Sequence, residues 1–206
     1  MELGYGVNDI PRTNLTWILL NWKLKIFSRP VSNTKIQIKT WPRDTDHLYS
    51  YRDFEITDTA GKLIAIATSR WVLLDVALHR LTSITDEIIR IYQPISEKVF
   101  DEPFCCKLSE PETSDSSSAF VIQRRDIDTN NHVNNLCYLD YAFETLPKEI
   151  YENCLDQFNN VQIMYKKETA LGEEIVCLYK KTQTGHVVVI KSKDLKNLHS
   201  IISLSE

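Results

Sequence analysis

The sequence predicts an α+β fold made of two copies of one unit, in which an antiparallel sheet wraps around a helix. Three observations support this prediction. Each half of the 206-residue chain contains four segments patterned as β-strands and joined by short turns. Helical spacing of apolar residues is confined to short stretches with one apolar face. A stretch rich in Pro, Ser and acidic residues at 109–118 separates the halves, so we place the units at 1–108 and 109–206.

In the first half, strands are predicted at 15–27, 36–42, 47–57 and 62–75. The first of them ends with Trp22, Leu24 and Ile26 alternating with two lysines, which is the pattern of a strand with one solvent-exposed face. After the fourth strand the isoleucines take helical spacing. This change predicts a short amphipathic helix that ends near residue 92 and is capped by Thr82 or Ser83.

The second half begins with an apolar and then basic strand at 120–125, followed by a polar turn at 126–135. Apolar residues at helical spacing then predict a helix from Leu136 to Leu146, which Pro147 ends. Four more strands are predicted at 161–167, 174–182, 186–193 and 198–204. The order of elements therefore repeats, apart from the opening strand and helix.

Composition indicates a globular protein that does not bind a polyanion. The chain is 43% hydrophobic, has a net charge of −4 and contains no basic run of the kind that binds nucleic acid. A local basic patch would still suit an acidic carrier protein. No apolar run reaches membrane-spanning length and the cysteines lack zinc-binding spacing, so we expect a cytoplasmic protein with reduced thiols and no metal or cofactor. The five cysteines are Cys105, Cys106, Cys137, Cys154 and Cys177.

The polar turn at 126–135 concentrates carboxylates, amides and an imidazole. Asp and Asn favour turns and helix caps for local reasons, so this composition alone indicates only a turn. The order of residues says more, because Asp-x-Asp-x-Asn-x-His-Val-Asn-Asn followed by Tyr138 resembles the motif of the acyl-ACP thioesterases of plant plastids and bacteria. Weaker matches precede it in the same order, at Leu3-Gly4-Tyr5-Gly6, Lys39-Thr40-Trp41-Pro42, Arg52-Asp53-Phe54 and the segment 69–75.

This resemblance implies a tandem hot-dog fold, in which each repeat is a long helix cradled by a curved antiparallel sheet. It also implies a thiolester hydrolase of fatty acid biosynthesis that releases free fatty acid from acyl carrier protein. An acyl-CoA thioesterase and a non-catalytic acyl-binding protein are the alternatives. The first repeat is expected to lack its N-terminal strand and most of its helix, so either the gene start is misplaced or part of the acyl pocket is missing. A second copy of the chain is a further candidate partner.

The resemblance assigns catalytic roles to four residues. Asp128, Asn130 and His132 occupy the motif Asp-x-Asn-x-His, and Glu168 occupies the acidic position on a later strand. Glu168 is expected to take the proton of the attacking water, while Asn130 and His132 orient water and thioester and Asp128 holds that pair. No covalent intermediate is needed.

Several other residues have two readings. The backbone N–H groups of Val133 and Asn134 are expected to bind the oxyanion, because helix starts carry free donors. Four basic residues either receive the carrier or are simply solvated, namely Arg124, Arg125, Lys166 and Lys167. Cys137 is expected to pack rather than react, and Thr169 stands where the family often has cysteine. The remaining residues that we expect to be structural are the histidines His47, His79, His186 and His199 and the acidic pair Asp140 and Glu144.

Overall fold

The computed structural model describes residues 4–102, 104 and 107–206, which form two compact units, Met1–Phe104 and Cys105–Glu206. Leu3 of the predicted family match and the expected thiols of Cys105 and Cys106 lie outside the described residues. The sheet-rich α+β class is confirmed in both units. Among the described residues, no helix combines the length and the apolar character needed to cross a membrane.

The first unit is an antiparallel sheet in the strand order β2-β3-β4-β1, with a short β5 added to β4. The strands are β1 (Leu15–Ile26), β2 (Ile36–Arg43), β3 (Tyr49–Asp58), β4 (Leu63–Asp75) and β5 (Arg80–Thr82). Helices α1 (Ile10–Thr13) and α2 (Asp86–Tyr92) precede and follow the sheet. Ile84 and Ile88 pack against Leu73 of β4, so α2 covers one end of the sheet.

The cap predicted for α2 is wrong. Thr82 belongs to β5 and Ser83 lies in the connection, whereas Thr85 precedes the helix and its hydroxyl accepts a hydrogen bond from the Ile88 N–H at 3.4 Å. The predicted strands of this unit are confirmed to within two residues at each end.

The second unit is an antiparallel sheet in the order β7-β10-β9-β8-β6, with two helices between β6 and β7. The strands are β6 (Ser116–Val121), β7 (Asn160–Tyr165), β8 (Glu174–Lys181), β9 (His186–Ser192) and β10 (Leu198–Ser205), and the helices are α3 (Cys137–Thr145) and α4 (Lys148–Cys154). α3 lies against β6, β8 and β9 and buries Tyr138 and Ala142. Core isoleucines such as Ile163 and Ile190 are fully buried, and each stabilises the fold by about 1.5–3 kcal/mol.

The opening of the second unit differs from the prediction. The strand lies at Ser116–Val121 instead of 120–125, because the serines pair with β8 and the chain then turns through a 3-10 helix at Arg124–Asp126. The stretch before it is not a free linker. Asp115 binds Lys180 at 2.6 Å, and Glu110 binds Lys191 at 2.8 Å.

The helix of the second unit is shorter than the long helix that the resemblance implied. α3 has nine residues and ends at Thr145, two residues before Pro147. Leu146 takes an extended conformation (ψ 142°), as expected for the residue before a proline. The chain then forms α4, which the sequence pattern did not predict.

Candidate active site

The polar stretch 126–135, called the motif loop below, folds back on itself before α3. The Asp128 N–H donates to the His132 carbonyl at 2.9 Å, and Ile127 and Val133 form an isolated antiparallel bridge. Asn131 at the tip has φ 64°, a left-handed conformation that asparagine tolerates better than most residues. The Asp128 carboxylate accepts the Asn130 N–H at 2.7 Å, which closes a turn inside the loop.

The four side chains with predicted catalytic roles lie in two pairs. His132 Nε2 is 3.3 Å from Glu168 Oε1, and the two side chains are 40% and 66% exposed. Asn130 Nδ2 is 3.4 Å from Asp128 Oδ2. The backbone hydrogen bond between Asp128 and His132 joins the pairs on one loop. Glu168, three residues after β7, is therefore brought to the motif loop from a distant part of the sequence.

A buried carboxylate anchors the motif loop. Asp126 is 8% exposed, and its Oδ2 accepts hydrogen bonds from the Gln123 N–H and the Tyr141 hydroxyl, both at 2.7 Å. Burial, followed by the contact with the Asp126 carboxylate, raises the pKa of Tyr141 well above its usual range, so the phenol stays a donor. Sequence reasoning gave neither residue a role, because the two lie 15 positions apart and their contact leaves no local pattern.

The prediction that Val133 and Asn134 offer free N–H groups is wrong. The Val133 N–H donates to the Thr169 carbonyl at 2.9 Å, and the Asn134 N–H donates to the Asp126 carbonyl at 2.7 Å. Both residues precede α3, whose first residue is Cys137. Their N–H groups hold the motif loop in place and are not free to bind an oxyanion. The side chains of Asn130 and His132 are candidate donors on the same loop.

Cys137 fits its predicted packing role. Its Sγ lies 3.7 Å from the Asp126 carbonyl oxygen, and burial together with the nearby Asp126 carboxylate raises the pKa of the thiol. A protonated thiol is a poor nucleophile. Thr169, at the position where the family often has cysteine, is 1% exposed and shares a hydrogen bond of 2.9 Å with the Tyr138 hydroxyl.

The four predicted carrier-binding residues, Arg124, Arg125, Lys166 and Lys167, all have exposed side chains. Arg125 Nε lies 3.7 Å from Asp126 Oδ1, and Lys167 Nζ donates to Asn197 Oδ1 at 3.2 Å. These contacts are weak and at the surface. Both readings of the basic residues therefore stay open.

Comparison with known proteins gives consistent matches over nearly the whole chain. Residues 1–92 match the family model for the acyl-ACP thioesterase N-terminal domain, and residues 109–204 match that for the C-terminal domain. Oleoyl-acyl carrier protein thioesterase 2, chloroplastic, of Arabidopsis thaliana is 27% identical over 87% of this chain and 51% of its own length. A chloroplastic palmitoyl-acyl carrier protein thioesterase of Cuphea hookeriana is 27% identical over 80% of this chain and 41% of its own. The chain thus spans about half the length of the curated relatives it matches.

Solved structures show the same fold. An acyl-ACP thioesterase from Bacteroides thetaiotaomicron superposes with a TM-score of 0.85 at 20% identity, covering 99% of this chain and 82% of that one. The 12:0-ACP thioesterase from Umbellularia californica gives 0.84 at 20% identity, covering 96% and 77%.

Proposed function

Because the chain belongs to the acyl-ACP thioesterase family and has its hot-dog fold, we propose that it hydrolyses fatty acyl-ACP to free fatty acid and holo-ACP. The observation that carries this proposal is the pairing of His132 with Glu168 at 3.3 Å. It joins the imidazole of the family motif to a carboxylate from another loop, and both side chains are open to water and substrate.

The proposed chemistry uses water as the nucleophile. Glu168 accepts a proton from the water while the water oxygen bonds to the thioester carbonyl carbon. The C–S bond then breaks, and the proton passes to the departing thiolate, which gives the free carboxylic acid and the carrier thiol. His132 beside Glu168 orients the water, and no residue is acylated.

In this proposal the side-chain amide of Asn130 stabilises the oxyanion. The Asn130 amide has two N–H groups, of which one points to Asp128 Oδ2 and the other is left for the carbonyl oxygen of the substrate. Asp128 fixes the orientation of that amide through its bonds to Asn130. Removing one such donor typically lowers kcat by about 10²–10³-fold.

A cavity of about 250 Å³ in the first unit is a candidate site for part of the acyl chain. Its walls include the rings of Trp17, Trp71 and Tyr92, together with the guanidinium of Arg52. Burial lowers the pKa of Arg52 from its usual range. The indole N–H groups of both tryptophans are bonded within the unit, to the Tyr92 hydroxyl and to Ser69, so the walls present mainly apolar ring surface.

Turnover of matched substrates tests the proposed function. Purified protein is assayed with acyl-ACP and acyl-CoA of the same chain length, and we expect a higher kcat/KM for acyl-ACP. The control is the double variant His132→Ala, Glu168→Ala. Equal or faster turnover of acyl-CoA would favour the acyl-CoA reading, and acyl binding without hydrolysis above the double variant would favour the non-catalytic one.

A further inference from the structure

The position of Glu168 is set by contacts of its neighbours in the chain more than by contacts of its own side chain. Its carboxylate is 66% exposed, and its contact with His132 is at 3.3 Å, which is long for a strong charge-assisted hydrogen bond. An exposed glutamate has several rotatable bonds and loses rotamer freedom when it is fixed. The two residues beside it in the chain carry the contacts that set its position, and each is bound by a buried side chain.

On one side, Thr169 joins Glu168 to the motif loop and to α3. The Thr169 carbonyl accepts the N–H of Val133, the residue after His132, at 2.9 Å. Its hydroxyl shares a hydrogen bond of 2.9 Å with Tyr138, which is 3% exposed and packs edge-on against Tyr165. The backbones of Glu168 and His132 are thus connected through a single threonine, and Tyr138 fixes its side chain.

On the other side, His199 holds Lys167. His199 lies in β10 and is 2% exposed, and its Nδ1 donates to the Lys167 carbonyl oxygen at 2.9 Å. The backbone carbonyl of His199 also accepts the Lys166 N–H at 2.9 Å. Its Nε2 is buried without a hydrogen-bond partner among the residues that the structure describes. A buried ring nitrogen without a hydrogen bond lowers the stability of the folded protein, and an apolar residue at this position would avoid that cost.

We propose that Tyr138 and His199 are positioning residues that hold the peptide segment 167–169, so that the Glu168 carboxylate stays beside His132. The proposal rests on the role given to Glu168 under the proposed function. Both side chains are buried, at 3% and 2% exposure, and their hydrogen bonds are with the segment and not with the Glu168 carboxylate. The sequence predicted His199 to be an ordinary histidine, and this assignment gives it a part in the site.

Variants of both residues test the proposal, with a matched control in the same sheet. Tyr138→Phe removes one hydroxyl, His199→Leu removes the donor to Lys167, and His199→Asn keeps a side-chain N–H near the position of Nδ1. The control is Tyr179→Phe, since Tyr179 is equally buried at 3% exposure and its hydroxyl shares a 2.8 Å hydrogen bond with His186 on β9.

We expect kcat on acyl-ACP to fall by about tenfold to a hundredfold in Tyr138→Phe and in His199→Leu, with KM little changed, because the base is displaced while substrate binding is kept. His199→Asn should recover most of kcat, and Tyr179→Phe should keep kcat despite a similar loss of stability. In a Glu168→Gln background, Tyr138→Phe should have no further effect on kcat.

Two kinetic outcomes would each overturn the proposal. One is an equal loss of kcat from Tyr138→Phe with and without Glu168, and the other is the same loss of kcat from Tyr179→Phe. Amide hydrogen exchange provides a readout that does not depend on turnover. Tyr138→Phe should speed exchange of the Val133 N–H, which is bonded to Thr169, whereas Tyr179→Phe should not. Failure of the wild-type protein to hydrolyse either thioester would refute the proposed function. An unchanged exchange rate of the Val133 N–H in Tyr138→Phe would refute the holding role, whether or not the protein hydrolyses thioesters.

Discussion

Replacing Asp126 with asparagine is expected to weaken the two hydrogen bonds that anchor the motif loop without removing either of them. In the folded protein Oδ2 accepts two hydrogen bonds of 2.7 Å, from the Gln123 N–H and the Tyr141 hydroxyl. An amide oxygen placed there keeps both bonds but loses the charge. Hydrogen bonds to a charged group contribute about 1.5–3 kcal/mol and neutral ones about 0.5–1.5 kcal/mol, so the two bonds together lose about 2 kcal/mol. Asp126→Ala leaves both donors unsatisfied and should cost about 4 kcal/mol.

Denaturant unfolding with a double-mutant cycle measures this anchor. Tyr141→Phe alone should cost about 2 kcal/mol, but only about 1 kcal/mol in the Asp126→Asn background, because the bond it removes is already neutral there. Tyr151→Phe is the control, since Tyr151 is 43% exposed on α4 and should be within about 0.5 kcal/mol of wild type. Effects of Asp126→Asn and Tyr141→Phe that add to within about 0.3 kcal/mol would show that the carboxylate and the phenol do not act together, and would refute the reasoning.

Three further predictions concern catalysis, carrier binding and pH. Alanine at His132 or at Glu168 should lower kcat by about 10²–10⁴-fold, and the double variant should be little worse than either single variant. The control is Asp140→Asn on the exposed side of α3, which should leave steady-state rates unchanged. Replacing Arg124, Arg125, Lys166 and Lys167 by glutamate should raise KM for acyl-ACP about tenfold and leave KM for acyl-CoA unchanged. An unchanged KM for both substrates would show that these side chains are only solvated and do not bind the carrier. Burial raises the pKa of Cys177 from 9.0 to about 12, so its contribution to stability is complete below pH 9 and is lost as pH rises toward 12. The unfolding free energy should therefore fall in that range by equilibrium denaturation, and a Cys177→Ala variant with the same slope would contradict this.

Most strands of the fold could be predicted from the sequence, because apolar residues either alternate with polar ones or form short runs bounded by turns. In β8 the buried residues Ile175, Cys177 and Tyr179 alternate with more exposed neighbours, as expected for a strand with one buried face. The errors lie where polar residues form regular structure. The serines of β6 read as a linker, yet they pair with β8, because backbone hydrogen bonding in a sheet does not depend on apolar side chains. Helix α4, with its mixed sequence, was missed for a related reason, because it buries none of its residues.

The candidate site was predictable to the extent that its residues are contiguous. Asp128, Asn130 and His132 lie within five positions of each other, and their order is the family motif. Glu168 was found only through the resemblance, since nothing local distinguishes it from other exposed acids. The error at Val133 and Asn134 came from assuming that a loop before a helix has free donors. Tertiary contacts with Thr169 and Asp126 use those donors.

Exposure separates the residues proposed to do chemistry from those that hold them. In the proposed reaction His132 and Glu168 must meet water and a thioester, and their side chains are 40% and 66% exposed. The residues that fix them have the opposite requirement, because a hydrogen bond restrains a loop best where water cannot compete for it. Tyr138, Thr169 and His199 are all at most 3% exposed, and they come from α3, from the loop after β7 and from β10. Nothing in the local sequence assigns these residues a holding role, so the precision of an exposed site depends on contacts that only the tertiary structure reveals.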